Sequence, residues 1–472
     1  MFIDTHAHLN SDEYNKDLDE VIKRAIDSGV EFIVVPGTDL ATSQKAIELA
    51  DKYDIIYAAV GFHPHEAQKA DDYTLSEIEK LSQHSKVVAI GEIGLDYHYN
   101  FSPSEIQKDI FKKQIEIAQK RNLPIIIHQR EAEADTLNIV RDAIHQNPLW
   151  RKNGSSKVNR FPAPRGVFHS FSSDAATAWK VIKLGFYISL PGIVTFKTKR
   201  DTINNSHEVL KKVSIEHILL ETDSPYLTPE PFRGKRNEPA YIKFIAEKIA
   251  EIQDLSVEDI GRTSNLGAYK LFEIGKYPEP TYVYKIRNSL YLNITLRCNA
   301  DCWFCDRKGE ALVKGYNLKI MKEPTSEEII SAIGDPKKFE EIVFCGFGEP
   351  TIRLDVIKQV GSWIKQNGGK VRLNTDGHGN VINHRNIIPE LVGIVDSVSI
   401  SLNSIDPKQY GEMMRINPDI YFPAMVEFAK EAVKYIGNVT MTIVDLTGAD
   451  EIKAKSFVEK EIGAKFRNRP YF

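Results

Sequence analysis

Cysteine is scarce. The chain has four in 472 residues, all between Cys298 and Cys345. That excludes a disulfide-stapled secreted scaffold. An excess of one charge is also lacking, with 61 Lys and Arg against 65 Asp and Glu and a net charge of -4. A globally basic nucleic-acid binder is thereby excluded, although a local basic groove is not. No apolar run reaches the length of about 18 residues that a membrane helix needs, so no membrane partner is expected. The opening MFIDTHAHLN has neither a basic n-region nor an apolar h-region, and the expected location is cytoplasmic. Histidine is nearly absent from the second half: of 13, only His378 and His384 lie beyond residue 217. A disordered chain is excluded, because 42% hydrophobic residues are ample for a core.

The length indicates two or more domains at about 100–200 residues each. The first half alternates short apolar runs with amphipathic stretches. The runs are FID (2–4), FIVVPG (32–37), IIYAAVG (55–61), VVAIGEIG (87–94), IIIH (125–128), GVFHSF (166–171), FYISLPG (186–192) and HILLETD (217–223). Leu18, Val21, Ile22 and Ala25 typify the helical spacing between them. Continuous apolar strands separated by helices predict an α/β fold with a parallel sheet, here an N-terminal (β/α)8 TIM barrel over 1–275. The aperiodic segment 149–165 reads as a long loop, and KYPEPTYVYKIRN as a linker, placed at 276–287. A second series follows over 288–472, with runs at 291–298, 341–348, 370–377, 397–403 and 438–446, and KFRNRPYF (465–472) as a sixth. Six strands predict a partial (β/α)6 barrel.

The ionisable residues of the first half fall at strand ends: His6 and His8, His63 and His65, Glu92, His128, His169, then Glu221 and Asp223. In a parallel barrel these ends share one face, where active sites are built. Imidazole and carboxylate together suit Zn, Mn, Fe or Mg. Four His, one Glu and one Asp suffice for two divalent metal ions bridged by Glu92, an arrangement fit for phosphoester hydrolysis. A single histidine such as His84 or His145 needs no site to explain it. THAHL, GFHPH, GEIGLDYH, IIHQR, FHSFS and LLETDSPYLTP, in this order, resemble the TatD family of metal-dependent hydrolases over about residues 1–270. The resemblance implies an amidohydrolase-type TIM barrel with phosphodiesterase or deoxyribonuclease activity on DNA or another phosphoester. It implies that His6, His8, Glu92 and Asp223 hold one metal, and that Glu92, His128 and His169 hold the other. Glu92, Asp223 and His63 would be catalytic, with His63 near the scissile phosphate. Glu221 would orient ligands, and His65 and Arg130 would stand behind the ligands or at the substrate. Arg130 and Arg233 are candidates for phosphate charge.

In the second half, Cys298, Cys302 and Cys305 form C-x3-C-x2-C after a strand. Three close thiols in such a chain indicate a metal or cluster, zinc included. They are one short of the four that fill a [4Fe–4S] cluster, which leaves an iron open. Cys345 reads as core. The pattern resembles the radical S-adenosylmethionine (SAM) superfamily over about 288–472. Phe304 takes the aromatic place before the third cysteine, and GFGEP (346–350) resembles that family's GGEP motif, with Phe347 as the departure. LNTDG and SVSISLN end the next strands. The resemblance implies a [4Fe–4S] cluster on the three thiolates and SAM as cofactor. SAM contacts would come from Phe304, Gly346, Gly348, Glu349, Pro350, Asn374, Asp376 and Ser401. It also implies reductive cleavage to a 5′-deoxyadenosyl radical, a substrate of unknown identity and an electron donor such as flavodoxin or ferredoxin. The expected protein is bifunctional, hydrolase and radical enzyme in one chain. The alternative is a TatD-type nuclease regulated by a redox- or SAM-sensing iron–sulfur domain without radical turnover.

Overall fold

The computed structural model describes residues 1–151, 164–197, 205–444 and 450–469. Most of the loop expected at 149–165 and the last three residues of KFRNRPYF therefore lie outside the described residues. The chain forms two compact units, divided between Tyr277 and Pro278.

In the first unit, eight parallel strands are laid down in sequence order. They are β1 (Phe2–Asp4), β2 (Val30–Pro36), β3 (Ile56–Val60), β4 (Val87–Asp96), β5 (Ile125–Arg130), β6 (Gly166–Phe168), β7 (Phe186–Leu190) and β8 (Ile218–Leu220). The sheet closes where Thr5 N donates to Leu220 O at 3.0 Å and Ala7 bridges Ser224. Every residue of β1, β4, β6, β7 and β8 is buried, as expected for strands covered on both faces. Helices supply the outer layer through one apolar stripe each; in Leu18–Asp27 the buried residues are Val21, Ile22 and Ala25. This is the predicted TIM barrel, and it gathers the strand ends onto one face.

The second unit has a seven-stranded sheet. Six strands are parallel neighbours in sequence order: β10 (Ser289–Leu292), β13 (Ile342–Phe344), β14 (Val371–Thr375), β15 (Ser397–Ser401), β16 (Val439–Val444) and β17 (Lys465–Arg469). A short hairpin, β11 (Leu312–Val313) with β12 (Tyr316–Asn317), stands apart from it. The seventh strand, β9 (Val283–Ile286), pairs antiparallel with β10. The segment read as a linker over 276–287 is thus in part an edge strand. Tyr284 is buried there and stacks on Tyr291 of β10 at 5.2 Å, a cross-strand pair that stabilises the edge. Leu290, Phe344, Leu373, Ile400 and Met441 pack under the helices in one core. The residues between them line the opposite, inner face. Cys345 follows this alternation. It is half-buried and accepts a hydrogen bond from Asn374 Nδ2 at 3.3 Å. The expectation of a core residue is corrected, because Phe344 takes the helix side.

Among the described residues, no helix is long and apolar enough to cross a membrane.

Candidate functional site

Beyond β1 the extended backbone continues, held by Ala7 N to Val34 O (3.0 Å) and His8 N to Ser224 O (2.7 Å). Two-residue periodicity then turns His6 and His8 to the same side. Glu92 lies within β4, and His128 within β5. Gly94 governs how closely those two strands approach. Its φ is +143°, and a Cβ there would stand 2.0 Å from the His128 carbonyl oxygen. Only glycine fits, which explains the second glycine of GEIG. His169 follows β6, with its N–H on Ile127 O at 3.0 Å. Asp223 follows β8, and its N–H donates to His6 O at 2.9 Å.

These side chains meet at the Glu92 carboxylate, whose two oxygens face different groups. Oε2 is 3.4 Å from His6 Nε2 and 3.5 Å from His8 Nε2. Oε1 is 2.7 Å from His169 Nε2, 3.0 Å from His128 Nδ1 and 3.4 Å from His63 Nε2. Asp223 Oδ1 lies 3.8 Å from His6 Nε2 and 3.6 Å from His8 Nε2. Three sets of three donors, His6–His8–Glu92, His63–Glu92–His128 and His6–His169–Glu221, each lie within 4.8 Å of one another. The structure thus brings together every metal ligand named from sequence, and adds His63 to the second group.

The electrostatics fit cations. Burial alone would raise the Glu92 pKa, but His169, His63 and His128 hold it well below the usual carboxylate range. Burial lowers the His6 pKa well below the ordinary histidine value, and the neighbouring His169 adds to that. Burial pushes His63 down to about 4, so this ring is neutral near pH 7 and offers a lone pair. Against burial, the neighbouring carboxylates act the other way on His169, holding its pKa up at about 10. Imidazole nitrogens and carboxylates packed this closely, with His6 and His8 Nε2 atoms 3.1 Å apart, match a mixed nitrogen and oxygen donor set for divalent cations.

A supporting layer surrounds them. Asp96 Oδ2 takes both His65 Nε2 (2.9 Å) and His128 Nε2 (3.0 Å), which leaves His128 Nδ1 facing Glu92. Glu221 accepts from Ser170 N and Ser189 Oγ, each at 2.6 Å, and stands 4.0 Å from His169. Burial pushes its pKa up to about 8. Asp4 accepts from Thr222 Oγ1 at 2.6 Å and ties β1 to the loop carrying Asp223. Asp96 and Asp4 were missed from sequence, although Asp96 stands inside the quoted GEIGLDYH. His65 meets Asp96 rather than Glu92. Arg130 is exposed, with its guanidinium 4.8 Å over the Tyr99 ring. Arg233 is exposed over Phe196 at 3.7 Å.

In the second unit, the cysteine loop follows β10. It is pinned by Asp301 N to Met414 O (3.0 Å), Trp303 N to Met413 O (3.1 Å) and Cys305 N to Cys302 O (3.0 Å). Arg307, missed from sequence, clamps it through Leu296 O (3.2 Å) and Ala300 O (2.9 Å). Burial pushes the Cys298 thiol up to about 12 and raises Cys302 and Cys305 as well. The Arg307 guanidinium opposes this rise at Cys298 and Cys305. Phe304 meets the Trp303 ring edge-on at 5.7 Å.

GFGEP lies against this loop. A Cβ on Gly348 would stand 2.3 Å from Thr295 O, and one on Gly346 2.2 Å from Asn293 Oδ1. The Glu349 side chain is turned inward. It accepts from Thr351 Oγ1 (2.6 Å), Thr375 Oγ1 (2.8 Å) and Asp376 N (2.8 Å), stapling GFGEP to the TDG turn. Burial and the charge of Asp376 push its pKa up to about 8. Pro350 starts the turn Pro350–Arg353. Asp376 Oδ1 accepts from His378 N at 3.0 Å. His378, fully buried, also meets Asn299 Nδ2 (2.8 Å) and Tyr410 OH (2.7 Å). It links the cysteine loop to the TDG turn. Asn374 and Ser401 lie on the inner face, half-buried.

Residues 3–273 match the TatD related DNase family, and residues 292–459 match the radical SAM superfamily. The uncharacterized metal-dependent hydrolase YabD of Bacillus subtilis strain 168 is 44% identical over 274 residues, which cover 58% of this chain and 100% of that protein. The uncharacterized metal-dependent hydrolase YcfH of Escherichia coli K12 is 34% identical over 277 residues, covering 58% of this chain and 96% of its own. Among solved structures, YJJV, a TatD homologue from Escherichia coli K12, is 27% identical with a TM-score of 0.51, covering 58% of this chain and 98% of that one.

Proposed function

The chain belongs to the TatD-related DNase family and carries a radical SAM domain, and from that premise we propose that it is a bifunctional enzyme. The first unit hydrolyses phosphoester bonds, those of DNA among them, and the second cleaves SAM reductively to act on a radical substrate. The observation that supports the hydrolase most directly is the Glu92 carboxylate, with one oxygen toward His6 and His8 and the other toward His128, His169 and His63.

His6, His8, Glu92 and Asp223 would hold one divalent ion, and Glu92, His128 and His169 the other. Zn, Mn, Mg or Fe, when bound, supplies polarisation of the phosphoester and a water acidic enough to attack near neutral pH. The rest is the work of this chain. Asp96 fixes the tautomer and direction of His128, and Glu221 supports the loop carrying His169. Asp223, near the mouth, is the carboxylate placed to hold the proton that hydrolysis releases. His63 presents Nε2 because its Nδ1 accepts from His65 N at 3.1 Å. Arg130, outside these groups, meets the charge of an incoming phosphate.

In the second unit, Cys298, Cys302 and Cys305 would hold a [4Fe–4S] cluster, which with SAM supplies one-electron reductive cleavage. Arg307 and His378 hold the loop in place. Glu349 positions the Asp376 backbone, and Asn374 and Ser401 face the cofactor side. An external protein such as a flavodoxin or ferredoxin delivers the electron.

The test has two arms on one anaerobic preparation. With divalent metal, the chain is expected to cleave DNA or a simple phosphodiester, and Asp223→Ala to lose that cleavage. With cluster, SAM and reductant, it is expected to release 5′-deoxyadenosine. Failure of the first arm sinks the hydrolase. Failure of the second, with hydrolysis that varies with cluster oxidation, favours a regulated nuclease instead.

A further inference from the structure

The inner face of the second sheet carries a charge that the proposed chemistry leaves unused. In the ladder between β16 and β17, Thr442 pairs with Arg467 and Val444 with Arg469. Met441 and Phe466, which pack toward the helices, alternate with these residues, so both arginines project from the opposite face. Arg467 is exposed. Arg469 is half-buried, and its Nε is sealed from water without a hydrogen-bond partner. Among the described residues, no carboxylate pairs with it. Burial lowers its pKa, and the charges acting on it are those of Cys345 and of the like-charged Arg467.

Arg372 on the same face makes the contrast. Its Nε is likewise sealed without a partner, but its Nη2 reaches Glu341 Oε1 at 2.9 Å and Tyr291 OH at 3.4 Å. That charge is balanced inside the protein, whereas the charge of Arg469 is not. A buried guanidinium without a counter-ion is costly. Cys345, whose charge acts on Arg469, accepts a hydrogen bond from Asn374 Nδ2 at 3.3 Å. Cys345 directly precedes GFGEP, so these groups lie on the rim where the SAM motifs gather.

We propose that this inner face binds an anionic group of the radical substrate, a carboxylate or phosphoryl oxygen, on the Arg469 guanidinium. The proposal rests on the radical reading for the word substrate; the anion site itself does not. A planar fork of donors suits either anion, and Arg467 adds long-range attraction.

The test is hydrogen exchange read by mass spectrometry on the full chain, without SAM, in phosphate, malonate or chloride at matched ionic strength. Peptides covering Val439–Val444 and Lys465–Arg469 are expected to exchange about threefold more slowly at an anion concentration of twice Kd, since protection scales as one plus that ratio. Peptides of the first barrel serve as the internal reference. Arg469→Leu and Arg469→Gln are expected to abolish the slowing, and Arg469→Lys to retain part of it. Slowing by phosphate alone assigns a phosphoryl group, and slowing by malonate alone a carboxylate. No slowing by either anion in the unaltered chain, or equal slowing in Arg469→Leu, overturns the proposal. A chain that shows the protection but releases no 5′-deoxyadenosine breaks the radical reading alone. One that releases 5′-deoxyadenosine without the protection breaks only this inference.

Discussion

The two donor sets are assembled in opposite ways. The histidine set draws on the ends of β1, β4, β5, β6 and β8 and on the loop after β3, so its members lie up to 217 residues apart in sequence, from His6 to Asp223. No short stretch of chain contains it, and every ligand distance depends on strand register and barrel closure. The three cysteines sit within one eight-residue loop, and what comes from afar is their support: Met413, Met414, His378 and the Glu349 staple. A hydrolytic centre of this kind inherits its precision from the closed sheet. The cysteine loop carries its candidate ligands locally and borrows only its shape. Damage should therefore stay confined to one reaction when it strikes ligands, and spread within a unit when it strikes the supports.

The largest effect tests that separation on the cysteine side. Cys302→Ala removes one of three ligands, and complete loss of bound iron and of 5′-deoxyadenosine release is expected, with DNA or phosphodiester cleavage kept. Iron and sulfide analysis with product chromatography reads both. Cleavage that fell together with the iron would tie the two reactions together and break the comparison. On the histidine side, Glu92→Gln deletes the charge shared by both groups. Hydrolysis should fall by about 10³-fold, since such a site contributes several kcal/mol at tenfold per 1.4 kcal/mol. SAM cleavage by the same preparation should be unchanged.

A smaller loss sharpens the role of supports. Asp96→Asn keeps the shape but weakens the acceptor that fixes His65 and His128. Loss of an outer partner of this kind costs about 10–100-fold in metal affinity or activity. Metal titration of the variant is expected to show one ion weakened far more than the other, because Asp96 touches only the His128 side. Equal weakening of both would mean that Glu92 transmits the disturbance.

The same asymmetry governs what could be read from sequence. Fold class was legible because apolar runs such as VVAIGEIG and KVRLNTDG mark strands by composition. The run at 291–298 was read too long: β10 stops at Leu292, where the Asn293 side chain begins to bond the Leu318 carbonyl at 2.8 Å. Candidate ligands were legible where a residue type alone announces them, as His6, His128 and Cys298 do. Asp96, Asp4 and His378 were not, because each acts by pairing with residues from other strands. Cys345 was misplaced because its side of the sheet depends on the phase of a three-residue strand. Val283–Ile286 looked like a linker because two prolines precede it, and the pairing of Tyr284 with Tyr291 is a contact that only the fold reveals.

The smallest effect probes the Glu349 staple. The buried carboxyl holds Thr351, Thr375 and the Asp376 amide together, with its pKa pushed up to about 8 by burial and by Asp376. Thr375→Val deletes its bond to Glu349 and the one that Thr375 Oγ1 accepts from Gly377 N at 3.0 Å, at nearly constant volume, and leaves the other bonds of Glu349. A net loss of about 2 kcal/mol is expected, at about 1 kcal/mol for each bond, which for a unit of this size lowers Tm by about 4–8 °C. Calorimetry of the full chain should show the shift in one transition only, that of the second unit. SAM affinity should fall less than the loss caused by Cys302→Ala, because the Asp376 backbone keeps its bond to Glu349 Oε2. An unchanged Tm with SAM affinity lost would show that Thr375 touches the cofactor directly, and that the cysteine side, like the histidine side, gathers its ligands from more than one strand end.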